Sequence, residues 1–196
     1  MKVIGITGGV GCGKSTILHL IQKHANAYII MADDVAKSLY TAGSPLVHDI
    51  AQEFGDVCVN SDGSVNKPAL ADIIFSDENK RKKLNAMVHP EVKRIILETI
   101  DELKSLNKYD LILVEAALFF EEEYDKFCDE VWYVTAVVSV RRERLKADRG
   151  YSDEKIDSML KAQLPENEFI KRCDKVIDNS GSLHDTETCL VKMLEL

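Results

Sequence analysis

A chain of 196 residues, 45% of them apolar and only four of them proline, is long enough to bury one good core and carry a small inserted subdomain, so one compact unit over 1–196 is expected. Thirty-three acidic against 25 basic residues leave a net charge of −8, which argues against a nucleic-acid partner because phosphate backbones are held through an excess of Lys and Arg. Five scattered cysteines without C-x-x-C spacing suggest neither a zinc site nor a disulfide framework, and no run of 18 apolar residues exists, so a cytoplasmic protein with no membrane partner is expected.

In chain order, apolar β-branched runs recur as "VIGIT" (3–7), "AYIIM" (27–31), "LILVE" (111–115), "VWYVT" (131–135) and "KVID" (175–178). Their hydrophobicity is continuous, not alternating, which marks strands covered on both faces and hence a parallel sheet. Helical spacing of apolar residues runs over 14–25, 80–106, 138–148 and 182–195. Strand and helix alternate, so the fold class is α/β, three layers around a five-stranded parallel sheet.

The spacing is uneven. The roughly 80 residues between the second and third strands far exceed one crossover helix and read as several helices punctuated by "AGSP", "NSDGS" and "HP". A helical substrate subdomain is therefore expected at 33–107, inserted between strands two and three. The stretch "RRERLKADRGYS" concentrates five Arg and Lys within nine residues of an acidic chain, a candidate mobile lid over 141–171. The segments 1–32, 108–140 and 172–196 are left as the core.

Behind the first strand stands "GGVGCGKST" (8–16), in which Gly8, Gly13, Lys14 and Ser15 satisfy G-x-x-x-x-G-K-[ST] between a strand and a helix. Glycines let such a loop curl so that successive N–H groups face phosphate oxygens, and the following helix adds the positive end of its dipole. Gly9, Gly11, Cys12, Gly13, Lys14, Ser15 and Thr16 are thus expected around a nucleoside triphosphate. Lys14 would reach the β/γ-phosphates and the Ser15 hydroxyl would complete a Mg²⁺ shell.

The same loop serves switches, motors and kinases. A GTP switch needs N-K-x-D, and "NKYD" occurs at 107–110, but before a strand, whereas ligands of such sheets lie beyond the strands' carboxyl ends. A kinase needs an acid at the acceptor hydroxyl and cations for the transferring group. Asp33 and Asp34 follow the second strand, where position alone leaves helix capping and catalysis open. Glu115 ends the third strand, where such proteins keep an acid for Mg²⁺ or its waters, and Arg141, Arg144 and Arg149 fall in the basic cluster.

The ordered set "GITGGVGCGKST", "ADDVAK", "FGDVCVNSDGSVNKPALADIIFSD", "MVHPEV", "ALFFEE", "RRERLKADRGYSDEKI", "AQ" and "CDKVIDNSG" resembles the dephospho-CoA kinase family from residue 3 to about 181. The resemblance implies transfer of the ATP γ-phosphoryl to the 3′-hydroxyl of the dephospho-CoA ribose, on a nucleotide-kinase-like fold with a helical CoA-binding subdomain and a lid. It implies ATP and dephospho-CoA as partners, Mg²⁺ with the ATP, and a monomer. By position, Asp33 matches an acceptor-side base, and His89 with Pro90 a pair beside the substrate. Arg144 and Arg149 match lid arginines that act with Lys14, Gln163 a glutamine closing the next helix, and Asn179 a residue near adenine; Glu115 falls where many members carry Asp.

This chain departs from the family's pattern at several positions. Met31 replaces an acid, Lys67 and Pro68 stand where arginine is usual, Ala117 replaces proline, and Arg141 replaces glutamine. Lys67 keeps a positive charge without the bidentate geometry of Arg, so Asp33, Lys67, His89 and Glu115 form the expected acceptor-side set.

Overall fold

The computed structural model describes residues 1–163 and 165–194. The expected lid (141–171) and last core segment (172–196) include Leu164, Glu195 and Leu196, which lie outside the described residues. Five strands form one parallel sheet: β1 (Lys2–Gly8), β2 (Ala27–Met31), β3 (Leu111–Glu115), β4 (Glu130–Thr135) and β5 (Lys175–Asp178), in the order β2-β3-β1-β4-β5. β1 is central, with Ile6 opposite both Glu115 of β3 and Trp132 of β4. That position explains its continuous apolar run, since both faces and both edges are covered.

Successive side chains point to opposite faces of a strand. Ile4, Ile6, Trp132 and Val134 pack on one face with Ile17, Leu18 and Ile21 of α1 (Lys14–His24) and Leu190 of α9 (Leu183–Leu194). On the other face Gly5 gives way to Phe119: a Cβ on Gly5 would sit 2.1 Å from the Phe119 Cζ. Tyr133 stacks there on Phe169 of α8 (Glu166–Arg172), the rings 5.0 Å apart and 9° from parallel. The sheet thus lies between two helical layers. After β1 the chain builds β2 and β3 on one side and β4 and β5 on the other, so the loop following β1 lies at the switch point where such sheets bind ligands.

The chain divides into two compact units, Met1–Ile30 with Leu103–Leu196, and Met31–Glu102. The second is built from α2 (Ala32–Ser38), α3 (Pro45–Phe54), α4 (Lys67–Phe75) and most of α5 (Glu78–Leu106). Leu84, Val88, Val92, Ile96 and Ile100 recur every fourth residue on the buried side of α5. The helical stretch read at 80–106 is α5, and the reading of "HP" as punctuation between helices is corrected by it, since the pair lies inside that helix. Pro90 removes one backbone donor and would ordinarily break a helix, but the apolar stripe on either side of it holds both halves in one register.

The stretch 141–171 belongs to the first unit. It contains most of α6 (Val138–Arg149) and all of α7 (Asp153–Lys161). Arg142 reaches Asp153 and Asp157, and Lys146 reaches Asp153, which fastens α7 onto α6. Asn107, the first residue of "NKYD", adopts the left-handed conformation (φ 47°) just beyond α5, and Asp110 directly precedes β3. The tetrapeptide is therefore a turn at the amino end of the sheet.

Candidate active site at the first loop

Between β1 and α1 the backbone can follow its path only with little or no side chain. Gly11 and Gly13 have φ of 75° and 90°, and a Cβ on Gly8 would lie 2.3 Å from the Val134 carbonyl oxygen. Gly13 caps α1 and, carrying no side chain, makes no cap bond to the helix's first N–H groups. Those donors, with the helix dipole, form a seat for an anion. Ser15 and Thr16 are exposed in this first turn.

Lys14 folds back over the loop, its Nζ donating to the Gly8 carbonyl at 2.9 Å and standing 3.5 Å from Oε1 of Glu115. Glu115 is 7% exposed at the end of β3. The Cys12 thiol, 1% exposed, is pushed above its ordinary pKa, mainly by burial and against the pull of Lys14. It stays neutral and adds no competing negative charge to the loop.

α6 supplies two guanidinium groups on the loop's other side, and the adjacent Leu145 is buried against Gly11. Arg144 donates to the carbonyls of Cys12 (3.3 Å) and Asn179 (2.9 Å). Arg141 donates through Nε to the Val10 carbonyl (2.8 Å) and through Nη2 to Oε1 of Gln163 (2.6 Å). Asn179 is 3% exposed, and its side-chain amide is engaged by Cys12 and Thr186. Its visible connection is to the loop.

The structure therefore brings Gly9, Gly11, Cys12, Gly13, Lys14, Glu115, Arg144 and Asn179 together. Arg149 lies five residues beyond Arg144, about 7.5 Å farther along α6, and is exposed beside the Tyr151 hydroxyl, whose pKa it lowers. Sequence reasoning missed Thr186, which carries no motif, and gave Arg141 no role beyond its place in the basic cluster.

In the helical unit, Asp33 and Asp34 occupy the first turn of α2, whose cap residue is Met31 with no side-chain cap bond. Asp34 pairs with Lys37 at 2.6 Å. Asp33 is exposed and bonds no described side chain, so neither acid acts as the cap. Lys67 opens α4 with its ammonium 5.9 Å from the Tyr40 ring centroid, and His89 is half-buried within α5.

For a divalent cation the relevant groups are the Ser15 hydroxyl and the Glu115 carboxylate, hard oxygens of the kind Mg²⁺ takes beside substrate phosphates. Among the described residues no group of three or more His, Cys, Asp or Glu is placed to hold a metal ion, and no helix is long and apolar enough to cross a membrane.

The dephospho-CoA kinase (CoaE) family model matches residues 2–185. The dephospho-CoA kinase of Moorella thermoacetica is 37% identical to this chain over 186 residues, covering 95% of this chain and 87% of that protein. The crystal structure of TT1252 from Thermus thermophilus aligns with a TM-score of 0.79 at 32% identity, covering 98% of this chain and 96% of the other. Dephospho-CoA kinase from Campylobacter jejuni, at 24% identity, shares the fold with a TM-score of 0.75 and coverage of 98% and 95%.

Proposed function

The chain belongs to the dephospho-CoA kinase family, ATP-dependent kinases of coenzyme A biosynthesis, and from that membership we propose how its residues perform the transfer. The γ-phosphoryl of ATP passes to the ribose 3′-hydroxyl of dephospho-CoA, giving coenzyme A and ADP. The observation that carries this reading is Lys14, held over a glycine loop at the switch point of the sheet and beside the buried Glu115. The free N–H groups at the start of α1 and the Lys14 ammonium take the β- and γ-phosphates. As transfer proceeds, charge grows on the leaving β-phosphate oxygens, where Lys14, Arg144 and Arg149 stabilise it.

Asp33 accepts the proton of the 3′-hydroxyl while that oxygen attacks phosphorus in line with the departing ADP. The reading is supported by its exposed carboxylate, which is spent on neither a cap nor an ion pair. Lys67 and His89 of the helical unit hold the acceptor, Asn179 supports the nucleotide side, and 141–171 serves as the lid. Mg²⁺ would be held by Ser15, with Glu115 on its waters, and would neutralise phosphate charge when bound with ATP. The protein is proposed to work as a cytoplasmic monomer.

The test is incubation with ATP, Mg²⁺ and dephospho-CoA, following ADP release and the product by mass and ³¹P NMR. One new 3′-phosphomonoester per ADP is expected. ADP release only with other acceptors, or with none, would overturn the acceptor assignment.

A further inference from the structure

Most cations of this acidic chain stand on carboxylates: Lys23 on Glu187, Lys83 on Glu53, Arg94 on Glu91 and Glu98, Arg142 on Asp153 and Asp157. Arg141 does not. Its bonds among the described residues go to two neutral acceptors, the Val10 carbonyl at 2.8 Å and the Gln163 amide oxygen at 2.6 Å. They use Nε and one Nη2 hydrogen, while a guanidinium carries five N–H donors, so Nη1 remains available. The group lies directly against the loop: a Cβ on Gly9 would meet Nη2 at 2.4 Å and the Gln163 Oε1 at 2.9 Å. A half-buried charge that is held in place by hydrogen bonds but not neutralised is costly unless an anion arrives to meet it.

We propose that Arg141 is a further catalytic residue of the transfer, its guanidinium donating to phosphoryl oxygens of the nucleotide bound at Gly9 and Val10, with Gln163 as the residue that positions it. The inference rests on the kinase reading above. Val10 sets the guanidinium's height over the loop through Nε, and Gln163 sets its rotation through Nη2. A bidentate group so oriented meets charge that develops on phosphoryl oxygens with little reorganisation.

The experiment compares steady-state kinetics of wild type, Arg141→Ala, Arg141→Lys, Gln163→Ala and the Arg141→Ala/Gln163→Ala double variant, each with its thermal midpoint. Arg141→Ala is expected to lower kcat by about tenfold or more. The Lys variant should recover part of that loss, since it restores charge without the fork. Gln163→Ala should lower kcat by a smaller factor while KM for both substrates stays within about twofold. In the double variant the Gln163 change should cost nothing further, because the group it positions is gone.

Arg141→Ala kinetics within about twofold of wild type overturn the proposal. So does a loss that Lys does not relieve and that follows the thermal midpoint, which would make Arg141 a packing residue. Additive losses in the double variant overturn the positioning role of Gln163. A wild-type enzyme that phosphorylates no dephospho-CoA would instead overturn the kinase reading itself.

Discussion

Asn179 donates its side-chain amide to the Cys12 carbonyl at 2.9 Å, joining the end of β5 to a loop 167 residues away in the chain. Arg144 donates to the same carbonyl at 3.3 Å, and Thr186 holds the Asn179 side-chain oxygen at 3.2 Å. The carbonyl of Cys12 and the N–H of Gly13 share one peptide plane and point in opposite directions. Fixing the carbonyl therefore fixes the direction of the Gly13 N–H, one of the donors proposed above to take phosphate.

Removing that tie should act on both stability and nucleotide binding. Asn179→Ala is expected to destabilise the fold by about 1–3 kcal/mol, the range for a buried polar group that loses its partner, and to weaken ATP binding. Thermal unfolding and calorimetric titration with ATP check both. An unchanged midpoint would show that Arg144 alone suffices to hold the loop.

Lys14 reaches the Gly8 carbonyl and stands beside Glu115, so its ammonium is already over the loop before any phosphate arrives. Lys14→Ala should lower kcat by orders of magnitude, about 3 kcal/mol or more in transition-state stabilisation. The measurement is single-turnover ADP formation at saturating ATP. Near-normal turnover would contradict the role given to the loop.

Asp33 lies in the first turn of α2 but is not its cap. Asp33→Asn keeps the shape and the local dipoles while removing the basic oxygen. Its thermal midpoint and ATP affinity should stay close to wild type while kcat falls on the order of 10²-fold, the size of a general-base contribution. An active and stable Asn variant would leave the acceptor-side proton without an assigned base.

Glu187 of α9 accepts from Lys23 (2.7 Å) and from His24 (2.6 Å) of α1, which holds its carboxyl at about 2 against an ordinary 4.5. A carboxyl whose pKa is lowered in the folded state stabilises the fold above its ordinary value, and the contribution is lost as pH falls toward the lowered one. The tie between α1 and α9 should therefore weaken between pH 4.5 and about 2. Glu187→Gln should lower the thermal midpoint at pH 6 and make little difference at pH 2. An equal difference at both would mean that the pair adds no pH-dependent stability.

Features set by residues close together in the chain were legible before folding. Continuous apolar runs located all five strands: β1, β3 and β4 are covered on both faces and have no solvent side to mark with polar residues, while the edge strands β2 and β5 keep apolar runs although Tyr28 and Val176 are exposed. The loop from Gly8 to Ser15 was legible because its glycines, its lysine and the following helix act within a few residues of one another. The acid at Glu115 was legible from its place at a strand end.

The family resemblance pointed to Arg144 and Asn179, but the bonds by which they and Arg141 are tied to that loop exist only in the folded chain. Arg141 and Arg144 meet it from more than 130 residues away, and Asn179 from 167. Each bonds a backbone carbonyl, which every residue carries, so nothing in the sequence marks the partner. "HP" read as a break because a proline's local cost is visible in two letters, whereas the stripe from Leu84 to Ile100 that holds α5 together across it gains its energy only by packing. Local conformational rules act over a turn or a short loop and can be read in sequence; burial and long-range hydrogen bonds depend on which surfaces meet, and they exist only once the chain has folded.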